Sequence, residues 1–340
     1  MSPAFIGGQA LLTFAATAAG VAVFRRWAQS RRLLDVPNAR SSHQVPTPRG
    51  AGLVIVTVSA AALVADCFFG WVTLTSYGVV AGIGALFIAG ISLVDDFRGL
   101  GSLTRLVAHT AAAIAVVSAW PGVAEWEWVA RVIAIVWIVG LTNAYNFMDG
   151  VDGIAGGQAL VTALTLAVVA HHAGASGAAA AGAALIGSSG GFLLFNWSPA
   201  RVFMGDVGSA YLGFLFAAVT LGLMERSPAA AAAIVLSLWP FLFDTSLTLV
   251  RRALKGENVL ASHRTHLYQR VVIAGSTHGA VALGYMTMSA VAAALAMWWV
   301  VYDSGRALVV AVPGALAVLL YVFVGRLESR KMPLSRSAQK

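Results

Sequence analysis

Residues 132–170 read VIAIVWIVGLTNAYNFMDGVDGIAGGQALVTALTLAVVA. The only charges in this stretch are Asp149 and Asp152, and both fall in the short segment between two apolar runs. A membrane-spanning helix needs about 20 mostly apolar residues. The stretch therefore reads as two spans joined by a tight polar turn, with Gly150 and Gly153 supplying the backbone freedom that the turn needs. Working outward, the same alternation of apolar run and short polar connection repeats in both directions.

Composition agrees with this reading. Of 340 residues, 59% are hydrophobic and 11% charged. A soluble domain carries about 25% charged residues. So few charges do not clothe a water-facing surface of this size, and the apolar excess must face lipid. We place spans at about 4–24, 51–70, 77–94, 106–120, 129–147, 158–173, 177–195, 208–224, 229–249, 279–301 and 307–324. The expected fold is an all-α integral membrane protein with about 11 transmembrane helices and catalytic loops on the cytoplasmic side, a single polytopic domain over residues 1–340. The fourth and sixth spans are short, so tilt or an interfacial position is expected there. The first apolar run has no charged leader before it and reads as a span, not a removed signal. Cys67 lies inside an apolar run and, as the one cysteine, permits neither an internal disulfide nor a cysteine metal site.

The net charge of +8 would suggest nucleic acid in a soluble protein. Here it has a simpler cause, and nucleic acid is not an expected partner. Of the 22 Lys and Arg, all but Arg131, Arg226 and Arg306 fall in loops after odd-numbered spans or in the tail at 325–340. The positive-inside rule then places those loops, the tail and the C-terminus in the cytoplasm and the N-terminus outside. For a bacterial cell this means the inner membrane, with a periplasmic N-terminus.

The same loops, at about 25–50, 95–105, 146–157, 196–207 and 250–271, carry the acidic and histidine motifs. They hold Asp35 to His43 and Pro46 to Gly52, then Asp95-Asp96-Phe97-Arg98, then Asn143 to Gly153, then Phe203-Met204-Gly205-Asp206-Val207-Gly208, and last His263-Arg264-Thr265-His266. Mg²⁺ is a hard cation that takes one or two carboxylates, waters and substrate phosphates. Asp95, Asp96, Asp149, Asp152 and Asp206 offer an excess of carboxylates that would repel one another without a cation. Arginine and histidine in the same loops suit anionic phosphates. Each motif alone has an ordinary explanation: a solvated helix end at Asp95-Asp96, turn chemistry at the two Asp-Gly pairs, a helix cap at Gly205-Asp206, polar interface histidines at His263 and His266. Five together on one face do not share one. His43 is expected to be structural or phosphate-facing. His109, His171, His172 and His278 are expected to pack at span edges, and Asp66, Glu125 and Glu127 to lie toward the outer side. Asp244 differs, because it falls within the ninth span, where a carboxylate is a functional candidate by default. It lies two turns from Arg251 and could either edge the same site or serve structural pairing.

These motifs resemble the polyprenyl-phosphate N-acetylhexosamine-1-phosphate transferases, glycosyl transferase family 4. The resemblance runs from about residue 34 to 271 and is most specific at Asn143–Gly153 and Phe203–Gly208. It implies transfer of a sugar-1-phosphate from a UDP-N-acetylhexosamine-type donor to undecaprenyl phosphate, with release of UMP, Mg²⁺ as cofactor (or Mn²⁺ in its place), contact with membrane lipid, and room for a homodimer. It implies catalytic roles for Asp95, Asp96, Asp149 and Asp152, metal binding by Asn146 and Asp206, and substrate binding by His266. The same loops add His263, Arg264 and Asn143 as candidates for substrate binding, with Arg49 and Arg40 as weaker candidates for the phosphates. Where the peptidoglycan translocase has three adjacent histidines, this chain has His263-Arg264-Thr265-His266. That form is more similar to the WbpL-type branch, which starts O-antigen chains. A transporter or flippase would put its ionisable groups at mid-membrane on broken helices. A membrane scaffold would not need five acidic motifs, and a Mg²⁺-dependent phosphatase is the nearest rival.

Overall fold

A computed structural model describes residues 1–36, 45–122, 127–259, 261 and 263–337, with side chains in the last helix through Ser329. Arg40, His43 and Glu125 lie outside the described residues. The chain forms thirteen helices and one two-stranded hairpin among the described residues. The first helices are α1 (Pro3–Ser30), α2 (Gly52–Phe68), α3 (Ser76–Arg98), α4 (Ser102–Ser118), α5 (Glu127–Phe147) and α6 (Ile154–His172). After them come α7 (Ser176–Asn196), α8 (Asp206–Met224), α9 (Pro228–Ser237), α10 (Trp239–Leu254), the short α11 (Leu267–Ile273), α12 (His278–Tyr302) and α13 (Arg306–Ser337). Between α1 and α2, β1 (Leu34–Asp35) pairs antiparallel with β2 (Thr47–Pro48). This pair of strands and an isolated parallel bridge between Arg49 and Phe203 are the β-structure among the described residues of an otherwise helical chain.

Eight helices are long and apolar enough to cross a membrane, and the bent pair α9–α10 makes a ninth. Helices α2 and α4 are apolar but have 17 residues each, about 26 Å at 1.5 Å per residue. The chain is thus an all-α multi-pass membrane protein. The described length of α13 also carries helix into the segment expected as a tail.

Local signals set the helix ends. Thr75 Oγ1 accepts from the Gly78 amide at the start of α3, and Gly99 closes that helix in the left-handed region. Ser227 caps α9, with Pro228 in the first turn where its missing N–H costs nothing. Small residues let the central helices approach. A Cβ on Gly191 of α7 would stand 2.5 Å from the Phe14 carbonyl oxygen of α1, and one on Gly182 would stand 2.7 Å from the Ala167 nitrogen of α6. Helix α8 is 83% buried and α6 72%, whereas α1 is 22% and α13 17%, so α6 to α8 form the centre and α1 and α13 the lipid-facing rim. The sixth span is therefore a central helix, not an interfacial one.

The ninth expected span is broken. Its axis bends by 66° between α9 and α10. Pro240 has no N–H to donate and crowds the preceding turn. The Phe241 amide turns to the Leu238 carbonyl, 3.1 Å away, which frees the Ser237 carbonyl. Gln158 Nε2 takes that carbonyl at 2.8 Å, and its own Oε1 receives the Ser289 hydroxyl at 2.6 Å. A backbone break inside a membrane survives only when neighbours satisfy it in this way.

Candidate active site

The motif-bearing ends of the helices meet on one face. The segment from Pro48 at the end of β2 to Gly52 at the start of α2 is stitched to the loop before α8: Phe203 N donates to the Pro48 carbonyl (2.8 Å), Ala51 N to Phe203 O (3.0 Å) and Gly52 N to Met204 O (2.9 Å). This brings Arg49 to the first turn of α8, where Asp206 stands. Gly205 adopts φ +75°, and a Cβ there would sit 2.7 Å from Asp96 Oδ2. The turn therefore requires glycine on both counts.

Two arginines bracket Asp206. Arg49 Nη2 lies 2.8 Å from Asp206 Oδ1 and 2.9 Å from Asp96 Oδ1. Arg105 Nη1 lies 3.1 Å from Asp206 Oδ2 and 2.9 Å from Asp95 Oδ2. Asp96 also accepts the amides of Asp206 (3.0 Å) and Val207 (3.1 Å), so it caps α8 from the end of α3. Asp95 accepts the Leu100 amide. The carboxylates of Asp95 and Asp96 are nearly enclosed, while Asp206 and both arginines keep a path to solvent. Burial opposes the charge of Arg49, but Asp206, Asp96 and Asp35 outweigh it and raise its pKa.

Asp149 stands in the turn between α5 and α6. It is partly exposed as a residue, but its carboxyl is densely surrounded. Burial first, then the charge of Asp206, pushes its pKa well above the ordinary carboxylate value, and Asp96 and Asp152 add to the effect against Arg49. Asp152 faces elsewhere. Its Oδ1 lies 3.2 Å from His278 Nδ1 and its Oδ2 accepts the Ala200 amide at 3.1 Å. Burial raises its pKa, but these hydrogen bonds prevail and lower it below the usual value. His278, expected to be a span-edge packing residue, instead pairs with a motif aspartate because α12 begins beside this turn.

Asn146 donates from Nδ2 to Ser209 Oγ (2.9 Å), one turn into α8 from Asp206. Asn143 does not join that cluster. Its amide nitrogen donates to the Val139 carbonyl at 2.7 Å and faces His109 Nδ1 at 3.2 Å, one turn deeper in the α4–α5 contact.

The histidine loop is built on Asp244. This fully buried carboxylate accepts the amides of Leu267 (2.7 Å) and Tyr268 (3.0 Å), the hydroxyls of Tyr285 (2.7 Å) and Thr248 (3.2 Å), and faces His266 Nδ1 at 3.3 Å. It therefore anchors the N-terminus of α11 and sets the ring of His266, which is itself buried. Upstream, Arg252 ties the loop with bonds to Glu257 (2.9 Å), the Asn258 carbonyl (2.7 Å) and the Ala261 carbonyl (3.0 Å). His263 packs against His266 with ring centroids 4.9 Å apart and the rings tilted by 31°. Burial, with the neighbouring His266 ring and Arg252 in support, lowers its pKa to about 4. At neutral pH it is a neutral hydrogen-bonding group rather than a fixed charge. Arg264 is half-buried beside Tyr268. The Tyr268 hydroxyl donates to the Phe147 carbonyl at 3.0 Å, and a Cβ on Gly150 would lie 2.0 Å from that hydroxyl. The histidine loop and the aspartate turn are thus locked together.

The donor set suits a hard cation shared with substrate. Asp206 and Asp96 present oxygens to a single arginine nitrogen, and with Asn146 bound to Ser209 through its nitrogen, the carbonyl oxygen is the end open to a metal. No group of three or more His, Cys, Asp or Glu that could by itself hold a metal ion is present among the described residues, so a cation here would need oxygens from substrate or water as well.

Fold and site together define a polytopic membrane protein with an interlocked acid and arginine cluster at one membrane face. The sequence profile of glycosyl transferase family 4 matches residues 78–224, a stretch that holds Asp95, Asp96, Asn146, Asp149, Asp152 and Asp206. A probable undecaprenyl-phosphate N-acetylglucosaminyl 1-phosphate transferase of Bacillus subtilis is 30% identical, over 72% of this chain and 71% of its own length. A decaprenyl-phosphate N-acetylglucosaminephosphotransferase of Mycolicibacterium smegmatis is 31% identical, over 84% of this chain and 80% of its own. A phospho-N-acetylmuramoyl-pentapeptide-transferase of Streptococcus uberis is 36% identical over a shorter match, 34% of this chain. The chain belongs to glycosyl transferase family 4.

Proposed function

We propose that this protein transfers an N-acetylhexosamine-1-phosphate from a UDP-sugar to undecaprenyl phosphate on the cytoplasmic face of the bacterial inner membrane, releasing UMP and starting an O-antigen or another envelope polysaccharide. The observation that carries this reading is the placement of Asp206, at a helix N-terminus between Arg49 and Arg105 with Asp95 and Asp96 behind them. One substrate is aqueous and the other is a lipid, so the chemistry belongs at the interface where these helix ends meet. Names of the relatives make N-acetylglucosamine the first donor to test. The variant histidine loop favours the O-antigen branch over the peptidoglycan translocase.

In this mechanism a phosphate oxygen of the lipid attacks the sugar-side phosphorus of the donor. The bond from that phosphorus to the bridging oxygen breaks, and UMP leaves with that oxygen and the bonding electron pair. Asp206, with Asn146 and Asp96 at hand, would hold Mg²⁺, whose charge would offset that of the diphosphate and of the leaving UMP. Mn²⁺ could replace it. Arg49 and Arg105 turn their guanidinium groups to the phosphates. Asp96, which holds the α8 amides, or Asp95, which accepts the Leu100 amide and pairs with Arg105, orients the attacking phosphate. A lipid phosphate is largely ionised at neutral pH, so positioning matters more than a strong base. Asp149, whose pKa is raised by burial and by the charge of Asp206, helps to shape the metal and nucleotide site. Asp152 acts through His278 and the Ala200 amide to fix the turn. His263 donates a hydrogen bond to the nucleotide phosphates, Arg264 supplies charge there, and His266 offers Nε2.

The test uses purified protein, Mg²⁺, undecaprenyl phosphate and a panel of UDP-sugars, with UMP release as readout. UMP should appear with at least one donor and only when the lipid phosphate is present. No release from any donor, or release by Asp206→Ala at the wild-type rate, would remove the proposal.

A further inference from the structure

A cavity of about 300 Å³ opens between the end of α1 and the end of α7, lined by Ala22, Arg25, Arg26, Gln29 and Phe195. It belongs to none of the clusters above, and among the described residues no carboxylate or histidine lines it. We propose that this cavity holds the phosphate headgroup of an anionic membrane phospholipid.

Four observations converge on that occupant. The first is position. Helix α1 has 28 residues, about 42 Å at 1.5 Å per residue, against a hydrocarbon core of about 30 Å. Arg25 follows the apolar run directly, so the cavity lies at headgroup depth on the motif-bearing face. Exposed Val23 and Trp27 flank it on the lipid side, which suits acyl chains and an interfacial ring. The second is charge. Two arginines face the same space with no acid lining it among the described residues, and a third, Arg201, lies over the Phe195 ring at 5.0 Å from its centroid. The third is an unmet donor. Arg25 Nε is buried and has no hydrogen-bond partner among the described residues. A buried guanidinium N–H left unbonded is costly, and an anionic oxygen in the cavity satisfies it with a charge-assisted bond. The fourth is size. The volume suits a phosphate with its glycerol and is too small for a folded partner. Basic pockets between helices on this kind of face are suited to phospholipid headgroups. The lipid here is a bound component and is not turned over, because the cavity lacks the carboxylates gathered around Asp206.

The experiment is native mass spectrometry of the delipidated full-length protein in detergent, titrated with phosphatidylglycerol or with phosphatidylcholine of the same acyl chains. Wild type should retain phosphatidylglycerol in preference to phosphatidylcholine. Arg25→Gln combined with Arg26→Gln should cut retained phosphatidylglycerol at least fivefold and leave phosphatidylcholine unchanged. Arg26→Gln alone, at an exposed position, guards against misfolding and should give a partial loss. Equal retention of the two lipids by wild type, or full retention of phosphatidylglycerol by the double variant, overturns the proposal. Displacement by millimolar inorganic phosphate would mark a free-anion site, and displacement by equimolar undecaprenyl phosphate a substrate site. Either result overturns the phospholipid as occupant.

Discussion

Replacing Asp244 by Asn keeps the shape of a buried side chain and removes its charge. In the native protein Oδ1 faces Leu267 N, Thr248 Oγ1 and His266 Nδ1, while Oδ2 faces Tyr268 N and the Tyr285 hydroxyl. Whichever oxygen becomes the amide nitrogen, it meets a backbone N–H that has nowhere else to donate. One orphaned buried donor costs about 1–3 kcal/mol, and the remaining bonds drop from charge-assisted to neutral strength. The sum is about 3 kcal/mol, which is on the order of 100-fold in the local opening equilibrium of α11. Hydrogen–deuterium exchange of the full-length protein reads this directly. Peptides covering 263–275 should exchange on the order of 100-fold faster in Asp244→Asn, with α8 peptides unchanged. Tyr285→Phe removes one bond only and should accelerate the same peptides by about tenfold. Wild-type exchange across 263–275 in Asp244→Asn would refute the reasoning that this carboxylate holds the histidine loop.

Gly52→Ala would place a Cβ 2.5 Å from Gly208 Cα and 2.7 Å from the Met204 carbonyl oxygen, all backbone. The starts of α2 and α8 must then separate, at about 1–3 kcal/mol. Melting temperature and transfer activity should both fall, whereas Gly82→Ala, which meets nothing within 4 Å, should change neither. Arg105→Ala leaves Asp95 and Asp206 without their shared cation, and turnover should drop by at least tenfold. The exposed Arg98→Ala should stay within about twofold. Asp149 has a raised pKa when folded, so in EDTA the folded protein keeps a proton that the unfolded chain releases. The stability tied to that proton is present at low pH and is lost as pH rises toward the folded pKa. Asp149→Asn should therefore gain melting temperature relative to wild type as pH rises above the ordinary carboxylate value, and parallel pH profiles would argue against the raised pKa.

Much of the fold was legible because charge is so sparse. The segments free of Lys, Arg, Asp and Glu fix where helices cross, and the basic loops mark one face. The break at Leu238 was less visible. Pro240 signals a weak point, but what stabilises a bend there is Gln158, about eighty residues away, and a linear pattern does not show that pairing. The site was legible as a set of motifs, not as a network. Arg105 looks like one more loop cation until α4 folds back along α3 and sets it between Asp95 and Asp206. His278 looks like a span-edge residue until α12 starts beside Asp152. Asp244 was conspicuous for its depth, yet its partners Leu267 and Tyr268 act through backbone amides, which side-chain patterns do not report.

The proposed reaction differs from ordinary glycosyl transfer in which bond breaks, and an isotope tells the two apart. Wild type, Asp206→Asn and Asp96→Asn would each be given Mg²⁺, undecaprenyl phosphate and UDP-N-acetylglucosamine carrying ³²P at the sugar-side phosphorus, with other UDP-N-acetylhexosamines labelled alike. The account predicts label in the organic-extractable lipid and unlabelled UMP in the aqueous phase for wild type with at least one donor, and neither with Asp206→Asn. Label that stays aqueous as UDP while sugar reaches the lipid, or lipid labelling that persists in Asp206→Asn, would contradict it.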